Sequence, residues 1–195
     1  GFLAYARERL KYYDNEGTRK NHSAGLSKFE RFLRETKGTS DVPLSGEGLT
    51  PALPEEMMSW ERTVLENAVN TVHKTMRTIR RFANMAIRDG YLDRSDYPFD
   101  GVELTRMRTE KTSLRPDQIR KLETLLATLE AGTAKYPEEG TLAAHVLRGF
   151  LFQLYMLGMR WGDLCTLRWE QVGAERITYR MRKTGETKDL KIVPT

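Results

Sequence analysis

Hydrophobic positions recur every three or four residues through most of the chain, which is the spacing of an α-helix with one buried face. In the first half this pattern predicts helices separated by turn-forming residues. The first helix covers roughly Phe2 to Tyr13, and a second begins near Thr18, which we expect to act as its N-cap. A loop rich in Gly, Ser and Pro follows over residues 38–54 and leads to a third helix over residues 55–65.

The fourth predicted helix has the clearest pattern. It runs from Asn70, the expected N-cap, to Asp89, and Gly90 follows where a left-handed residue is favoured. One apolar stripe predicts its packed face: Val72, Met76, Ile79, Phe82, Ala83, Ala86 and Ile87. The opposite side carries a basic stripe of Lys74, Arg77, Arg81 and Arg88. Because these cations and Arg80 face only Asp89 in the helix, we expect phosphate binding, with a solvated face as the alternative.

Between Phe99 and Ser113 the periodicity fades, which predicts a linker. This segment carries three cations: Arg106, Arg108 and Lys111. A new amphipathic helix is predicted from Pro116, a residue favoured in the first turn. A loop over Gly132 to Gly140 then leads to a long apolar helix over residues 142–157. The sequence therefore predicts one domain over residues 1–98 and a second over residues 114–195, joined by residues 99–113.

Near the end of the chain, apolar residues alternate with polar ones. Ile177 and Tyr179 predict one strand, and Leu190 and Ile192 predict another. The turn between them contains Lys183, Thr184 and Gly185. We therefore predict a β-hairpin with Lys183 near its tip.

The composition is that of a globular domain with a slight excess of positive charge. Lys and Arg total 32 against 27 Asp and Glu, which gives a net charge of +5 and favours a polyanionic partner only weakly. The single Cys165 excludes an internal disulfide, fits a reducing compartment and is expected in the core between Leu164 and Leu167. The three histidines lack metal-ligand spacing, and neither a membrane span nor a signal peptide is visible.

The segment over residues 157–172 carries the strongest chemical signal and reads LGMRWGDLCTLRWEQV. Arg160 stands at the predicted start of a helix, and Asp163 follows one turn later, where its carboxylate can brace the guanidinium. A guanidinium held beside free backbone N–H groups suits a phosphate diester. The alternative is an ordinary structural salt bridge.

This segment resembles the first catalytic-arginine box of the tyrosine recombinases, the phage integrase family. The resemblance includes the apolar helix before it, the acid three residues after Arg160, the Leu-Arg-Trp run and the hairpin lysine. It implies that Arg160 grips the scissile phosphate, that Asp163 supports it, and that Lys183 protonates the leaving 5′-oxygen. Lys188 is the alternative lysine in the same hairpin.

The first half of the chain is similar to integrases of mobile elements in the Bacteroidetes, on the segment from Asn70 to Leu92 and the Tyr97-Pro98-Phe99 run. The resemblance implies a mainly α fold: a helical SAM-like core-binding domain, then the N-terminal part of an α+β catalytic domain with a β-hairpin. It also implies that the basic stripe contacts double-stranded DNA and that the linker cations follow the DNA backbone. Arg115 stands where the family usually has a Thr or Ser cap, which weakens the second boundary.

The resemblance stops before the family's His-x-x-Arg box, its later His or Trp and its tyrosine nucleophile. His145 precedes Arg160 and Tyr179 lies on a predicted strand, so neither takes those roles. Both ends of the sequence look cut, and we expect this chain to bind DNA without cleaving it. The family implies a parent enzyme that recombines DNA through a 3′-phosphotyrosine, assembled as a tetramer at synapsis in the bacterial cytoplasm at the nucleoid. It implies no cofactor, metal, membrane or small-molecule substrate.

Two other functions remain open from the residues alone. The basic helix also suits a non-enzymatic DNA-binding regulator, or a helical protein-interaction module in which the charge only keeps the helix soluble. Salt-dependent binding to duplex DNA separates the module from the two DNA-binding alternatives.

Overall fold

The computed structural model describes residues 1–131 and 137–192 and confirms the predicted fold class, with helices through most of the chain and a two-stranded antiparallel hairpin near its end. The chain forms two compact units, Gly1–Glu110 and Lys111–Thr195. Each unit has its own cluster of buried side chains.

The first unit contains helices α1 (Phe2–Leu10), α2 (Glu16–Lys37), α3 (Leu53–Thr63) and α4 (Val69–Arg88). The N-cap of α2 is Asn15, whose side-chain oxygen accepts the backbone N–H of Thr18 at 2.9 Å. The prediction that Thr18 is the cap was therefore wrong, because the Asn15 carboxamide reaches the unpaired N–H groups of the first turn.

The apolar stripe of α4 packs as predicted. Its residues from Val72 to Ala86 are buried and Ile87 is half-buried. They meet the inward faces of the other helices, whose largest fully buried side chains are Phe2, Leu3, Leu26, Phe29, Phe32, Leu33 and Met57. Burial of this much apolar surface is the main stabilising contribution to the unit.

The two ends of α4 differ in how well the sequence predicted them. At the C-terminal end, Gly90 has a φ of +76°, which a glycine adopts without the steric cost of a Cβ. At the N-terminal end the expected cap was wrong, because the helix begins at Val69 and the cap position is held by Ala68, which makes no side-chain hydrogen bond. The Asn70 side chain instead binds the backbone of Met107.

Part of the predicted linker belongs to the first unit. The Phe99 ring is buried in the core, and Val102 and Leu104 pack against that core. The structural division falls between residues 110 and 111, later than the expected end of the first domain at residue 98. The sequence pattern missed this because residues 103–110 have no helical or strand periodicity to reveal their packing.

The second unit contains α5 (Pro116–Glu130), α6 (Pro137–Tyr155), the short α7 (Trp161–Leu164) and a hairpin of β1 (Arg176–Arg180) and β2 (Thr187–Lys191). Of the loop predicted over Gly132 to Gly140, residues 132–136 lie outside the described residues, and residues 137–140 belong to α6. Helix α6 therefore begins earlier than the predicted residue 142. It ends at Tyr155 and is followed by a turn with positive φ at Leu157 and Gly158.

The core of the second unit is small. Among the described residues, one buried cluster consists of Met159, Ile177, Tyr179 and Met181, and Ala144 and Leu151 of α6 are also buried. None of the residues of α5 is buried, although they include the predicted apolar positions. Cys165 is exposed, so its expected burial was wrong: only its neighbours Leu164 and Leu167 turn toward the core, and they are half-buried. Among the described helices, none has the length and apolar character needed to cross a membrane.

Candidate nucleic-acid interface and phosphate site

The exposed side of α4 forms one wall of a groove of about 890 Å³ in the first unit. Arg9 of α1, Tyr12 and Tyr13 after that helix, and Leu104 provide the rest of the lining. We call this the basic groove, because its charged and polar lining residues include Arg9, His73, Arg77, Arg80, Arg81, Asn84 and Arg88. Arginines concentrated in one concave surface raise the local positive potential, which favours an extended anion.

The structure divides the predicted basic stripe. Arg77, Arg81 and Arg88 line the basic groove, but Lys74 does not. The Lys74 Nζ instead donates to Asn21 Oδ1 on α2 at 2.8 Å. All four cations are exposed as predicted, yet only three of them share a single surface.

The arginines of the groove differ in how firmly they are held. The Arg81 guanidinium lies 5.3 Å from the centre of the Tyr13 ring, and its Nε donates to the Tyr13 hydroxyl. Arg80 Nε donates to the Tyr97 hydroxyl at 3.3 Å. Arg77 makes no hydrogen bond or ion pair with another residue in the described part of the chain, so its guanidinium can bind a ligand at little internal cost.

At one end of the groove, the Asp89 carboxylate binds two arginines. Arg9 Nη2 lies 2.5 Å and Arg88 Nε 3.2 Å from its oxygens, and the Tyr5 hydroxyl donates to it at 2.6 Å. The hydrogen bond from Tyr5, followed by the two guanidinium groups, lowers the pKa of Asp89. Asp89 thus positions Arg9 and Arg88 while it offsets part of their charge.

Sequence reasoning missed Arg9, His73 and Asn84 as groove residues. His73 and Asn84 lie at helical spacing from Arg77, so extending the basic stripe along α4 would have included them. Arg9 gave no such signal, since it belongs to α1 and reaches the groove only through the packing of that helix beside α4. The linker cations Arg106, Arg108 and Lys111 are all exposed.

In the second unit, Arg160 occupies the cap position of α7 and is exposed. Its Nη1 donates to Met181 Sδ at 3.0 Å. A thioether is a weak acceptor, so a phosphate oxygen can readily replace it. The turn before Arg160 is fixed by Gln153, whose Nε2 donates to the Met159 carbonyl oxygen at 2.7 Å.

Asp163 is buried, with 4% of its surface exposed, and it binds the hairpin instead of Arg160. Its Oδ1 accepts the backbone N–H of Arg182 at 2.9 Å, while Oδ2 has no partner among the described residues. The expected direct brace on the Arg160 guanidinium is therefore not observed. The Asp163 carboxylate instead satisfies the backbone N–H of Arg182, and this hydrogen bond links α7 to the hairpin turn.

The hairpin forms in the predicted place. Gly185, with a φ of +73°, donates its N–H to the Met181 carbonyl oxygen at 2.8 Å and closes the turn. Lys183 lies in this turn and is exposed. The strand register places Lys188 directly opposite Tyr179, and Lys188 is half-buried.

A cavity of about 460 Å³ lies between the turn over residues 156–160, which precedes α7, and the hairpin. Arg160, Tyr179, Met181, Thr184, Glu186 and Lys188 are among its lining residues, which do not include Lys183. We call it the Arg160 cavity. Burial and the charge of Asp163 raise the pKa of Tyr179, whereas Lys188 and Arg160 act in the opposite direction. Among the described residues, no group of His, Cys, Asp and Glu side chains is arranged to hold a metal ion.

Comparison with known proteins identifies the family. The family described as "Phage integrase SAM-like domain" matches residues 1–104, which is more than half of the chain. The chain belongs to this phage integrase family. The resemblance to the phage integrase family found in the sequence is thereby confirmed. A comparison with curated proteins gives no match.

Solved structures of lambda integrase share the fold of this chain. A lambda integrase dimer bound to a COC′ core site matches with a TM-score of 0.71 at 16% identity, covering 97% of this chain and 58% of that one. A lambda integrase tetramer bound to a Holliday junction matches with a TM-score of 0.72 at 16% identity, covering 97% of this chain and 49% of that one. The chain thus spans 49% to 58% of the length of these two structures.

Proposed function

We propose that this chain is the DNA-gripping and phosphate-binding part of a tyrosine recombinase that carries out site-specific DNA recombination. The observation that carries the proposal is the basic groove on the SAM-like unit. Its arginines line one concave surface, α4 contains no acidic residue, and Asp89 at the C-cap of α4 pairs with Arg9 and Arg88. Duplex DNA is the ligand that such a surface fits best, because its phosphates repeat along an extended path.

Within the groove, the arginines take different roles. Arg77 is free to bind a phosphate, while Arg81 is preoriented by the Tyr13 ring. Arg80, held by Tyr97, and Arg88, held by Asp89, fix the register of the protein on the DNA. Arg106, Arg108 and Lys111 continue the positive charge along the exposed segment that follows the groove.

In the second unit, we propose that Arg160 binds the scissile phosphate. Cleavage places negative charge on the non-bridging oxygens, and a guanidinium held at the α7 cap stabilises that charge without a metal. Lys183, on the exposed hairpin turn, supplies the proton to the departing 5′-oxygen. Asp163 acts on this pair indirectly, because it holds the backbone of Arg182, the residue before Lys183.

For the whole enzyme, we propose the reaction that the resemblance to the tyrosine recombinases implies. A tyrosine hydroxyl attacks the DNA phosphate, giving a 3′-phosphotyrosine and a free 5′-hydroxyl, and the hydroxyl of a partner strand then releases the tyrosine and rejoins the DNA. Tyr179 does not serve as this nucleophile, since it is buried on β1 with its pKa raised. We propose that residues 1–195 alone bind DNA without cutting it. By analogy with the lambda integrase tetramer, we propose that the recombinase acts as a tetramer. We also propose that it acts in the bacterial cytoplasm at the nucleoid, because that is where its DNA substrate lies.

Salt-dependent binding tests the DNA-binding part of this proposal. The chain should bind a fluorescein-labelled duplex, and affinity should fall about a thousandfold between about 50 and 200 mM salt if six phosphates are contacted. Anisotropy titrations at several salt concentrations give the slope. No binding at the lowest salt would favour a protein-interaction module. Binding together with a full-length protein that never forms a covalent DNA adduct would favour a non-enzymatic regulator.

A further inference from the structure

We propose that Lys188 is a second phosphate-binding residue of the Arg160 cavity. In the absence of phosphate, the Glu186 carboxylate pairs with the Lys188 ammonium group, and a bound phosphate displaces this carboxylate. This inference rests on the proposed function of the cavity as the scissile-phosphate site. The inference adds one cation, Lys188, to that site, and one carboxylate, Glu186, that competes with the DNA phosphate for this cation.

The strand pairing places Lys188 in the cavity. Lys188 pairs with Tyr179 across the hairpin, and residues directly opposite each other in an antiparallel pair project from the same face. Since Tyr179 is buried against the small core, its partner also faces inward, and 39% of the Lys188 side chain remains exposed. Lys188 and Arg160 therefore line the same space.

Electrostatics agree with this placement. The pKa of Tyr179 is raised by burial and by Asp163, and the charges of Lys188 and Arg160 both oppose this increase. Both positive charges thus act on one point in the cavity wall. Two cations that converge in a partly enclosed space favour an anion more strongly than either does alone.

The Glu186 carboxylate takes the place that an anion would occupy on Lys188. Its Oε1 lies 2.7 Å from Lys188 Nζ, and Glu186 also lines the cavity. This ion pair is largely exposed, so it holds Lys188 only weakly and a phosphate oxygen can replace the carboxylate. Lys183 has no such position, because it lies exposed in the turn and outside the cavity lining.

The test follows the lysine side chains directly while inorganic phosphate is added to the 195-residue chain. With lysine labelled with ¹³C at Cε, the Lys188 signal should shift in a saturable way, and the shift should disappear in Arg160→Gln. Glu186→Gln should tighten phosphate binding about twofold to fivefold, the range expected for loss of one exposed ion-pair competitor. Lys188→Arg should retain binding, whereas Lys188→Gln should weaken it. The amide signal of Gly185 reports whether each variant keeps the hairpin.

Two results would overturn the inference. One is a phosphate-dependent shift of Lys183 with none at Lys188 in a chain whose hairpin is intact. The other is a Glu186→Gln chain that binds phosphate no better than the parent. Duplex binding by the basic groove is measured on the same samples. If the chain binds duplex DNA but the Lys188 signal does not shift with phosphate, only this inference is wrong. If the parent chain does not bind duplex DNA, the proposed function is wrong.

Discussion

Asn70 binds both backbone polar groups of Met107: its Nδ2 donates to the carbonyl oxygen at 2.9 Å, and its Oδ1 accepts the N–H at 3.0 Å. The carboxamide therefore satisfies the backbone hydrogen-bonding groups of Met107 in this irregular segment, as the backbone of a neighbouring strand would. Because the segment also carries Leu104, which lines the basic groove, Asn70 fixes part of the groove wall from the start of α4.

Replacing Asn70 with Ala should release this segment and destabilise the first unit by about 1 kcal/mol, the typical net contribution of an intramolecular hydrogen bond. Hydrogen exchange at the Met107 amide should become faster, and urea unfolding gives the change in stability. Asn84→Ala, on the exposed side of the same helix, is the matched control and should leave Met107 exchange unchanged. Equal protection of Met107 in the Asn70 variant would show that the pair does not hold the segment.

Arg77→Gln should weaken binding to duplex DNA and reduce the slope of log affinity against log salt by about 1, because one phosphate contact is lost. Lys74→Gln should have a smaller effect, since Lys74 lies outside the groove and is held by Asn21. Arg62→Gln, an exposed arginine at the end of α3, is the charge-matched control. If the Arg62 and Arg77 variants lost affinity equally, the effect would come from net charge and not from the groove.

The buried Glu61 predicts a strong dependence of stability on Lys28. Glu61 is fully buried, its Oε2 accepts from Lys28 Nζ at 3.4 Å and from Asn67 Nδ2 at 2.8 Å, and its Oε1 has no partner among the described residues. Lys28→Met would leave a buried carboxylate without its cation, so we expect a loss of about 2 kcal/mol, reduced from the fully buried case because Lys28 is partly exposed.

Chemical denaturation of matched variants measures this loss. Lys20→Met removes an exposed lysine paired with Glu16 and should change stability by less than about 0.5 kcal/mol. Adding Glu61→Gln to Lys28→Met should restore much of the loss, because the buried charge is then gone. A Lys28 variant as stable as the Lys20 variant would contradict this account.

His22 predicts a dependence of stability on pH. Its ring contacts the rings of Tyr13 and Phe82, and its Nδ1 is 3.1 Å from Thr78 Oγ1. Burial, and then the nearby charge of Arg81, lower the pKa of His22. The unfolded chain therefore takes up a proton first, so the free energy of unfolding should fall as the pH drops below about 6.5 and level off once the folded pKa is passed.

Unfolding curves for the parent and for His22→Gln, measured across this pH range, isolate the contribution of His22. The difference between the two chains should narrow as the pH falls, since glutamine does not titrate. Parallel pH profiles for the two proteins would exclude His22 as the source.

Arg160→Ala, in a protein that also carries the family's nucleophilic tyrosine, should abolish the covalent DNA adduct while most DNA binding remains. The reason is that Arg160 stabilises charge that develops during cleavage, whereas the groove supplies the affinity. Adducts are counted on denaturing gels with a nicked or suicide duplex. Arg168→Ala, an exposed arginine in the same segment that pairs with Glu170, is the control and should keep adduct formation. Wild-type levels of adduct in the Arg160 variant would contradict the proposed role.

Local pattern in the sequence was sufficient for the helices, the hairpin and the faces that pack. The apolar stripe of α4 and the alternating burial around Tyr179 each depend only on side-chain direction within one helix or strand. That direction is determined by the number of residues per turn of a helix or per repeat of a strand. For the same reason the exposure of Arg77 and the position of Lys183 in a turn were predictable. The family itself was also recognisable, since it depends on short runs of residues.

Contacts between distant residues were decided only by the tertiary structure. Arg9 forms an ion pair with Asp89, and Lys74 donates a hydrogen bond to Asn21. Asn70 does not cap α4 as predicted, and its side chain binds the backbone of Met107. Likewise, Asp163 binds the hairpin backbone, and strand register places Lys188 with Arg160. The spacing of hydrophobic residues in the sequence indicates the direction in which a side chain points from its own helix or strand. Which group it meets there depends on how the elements pack, and the competing donors and acceptors come from other parts of the chain.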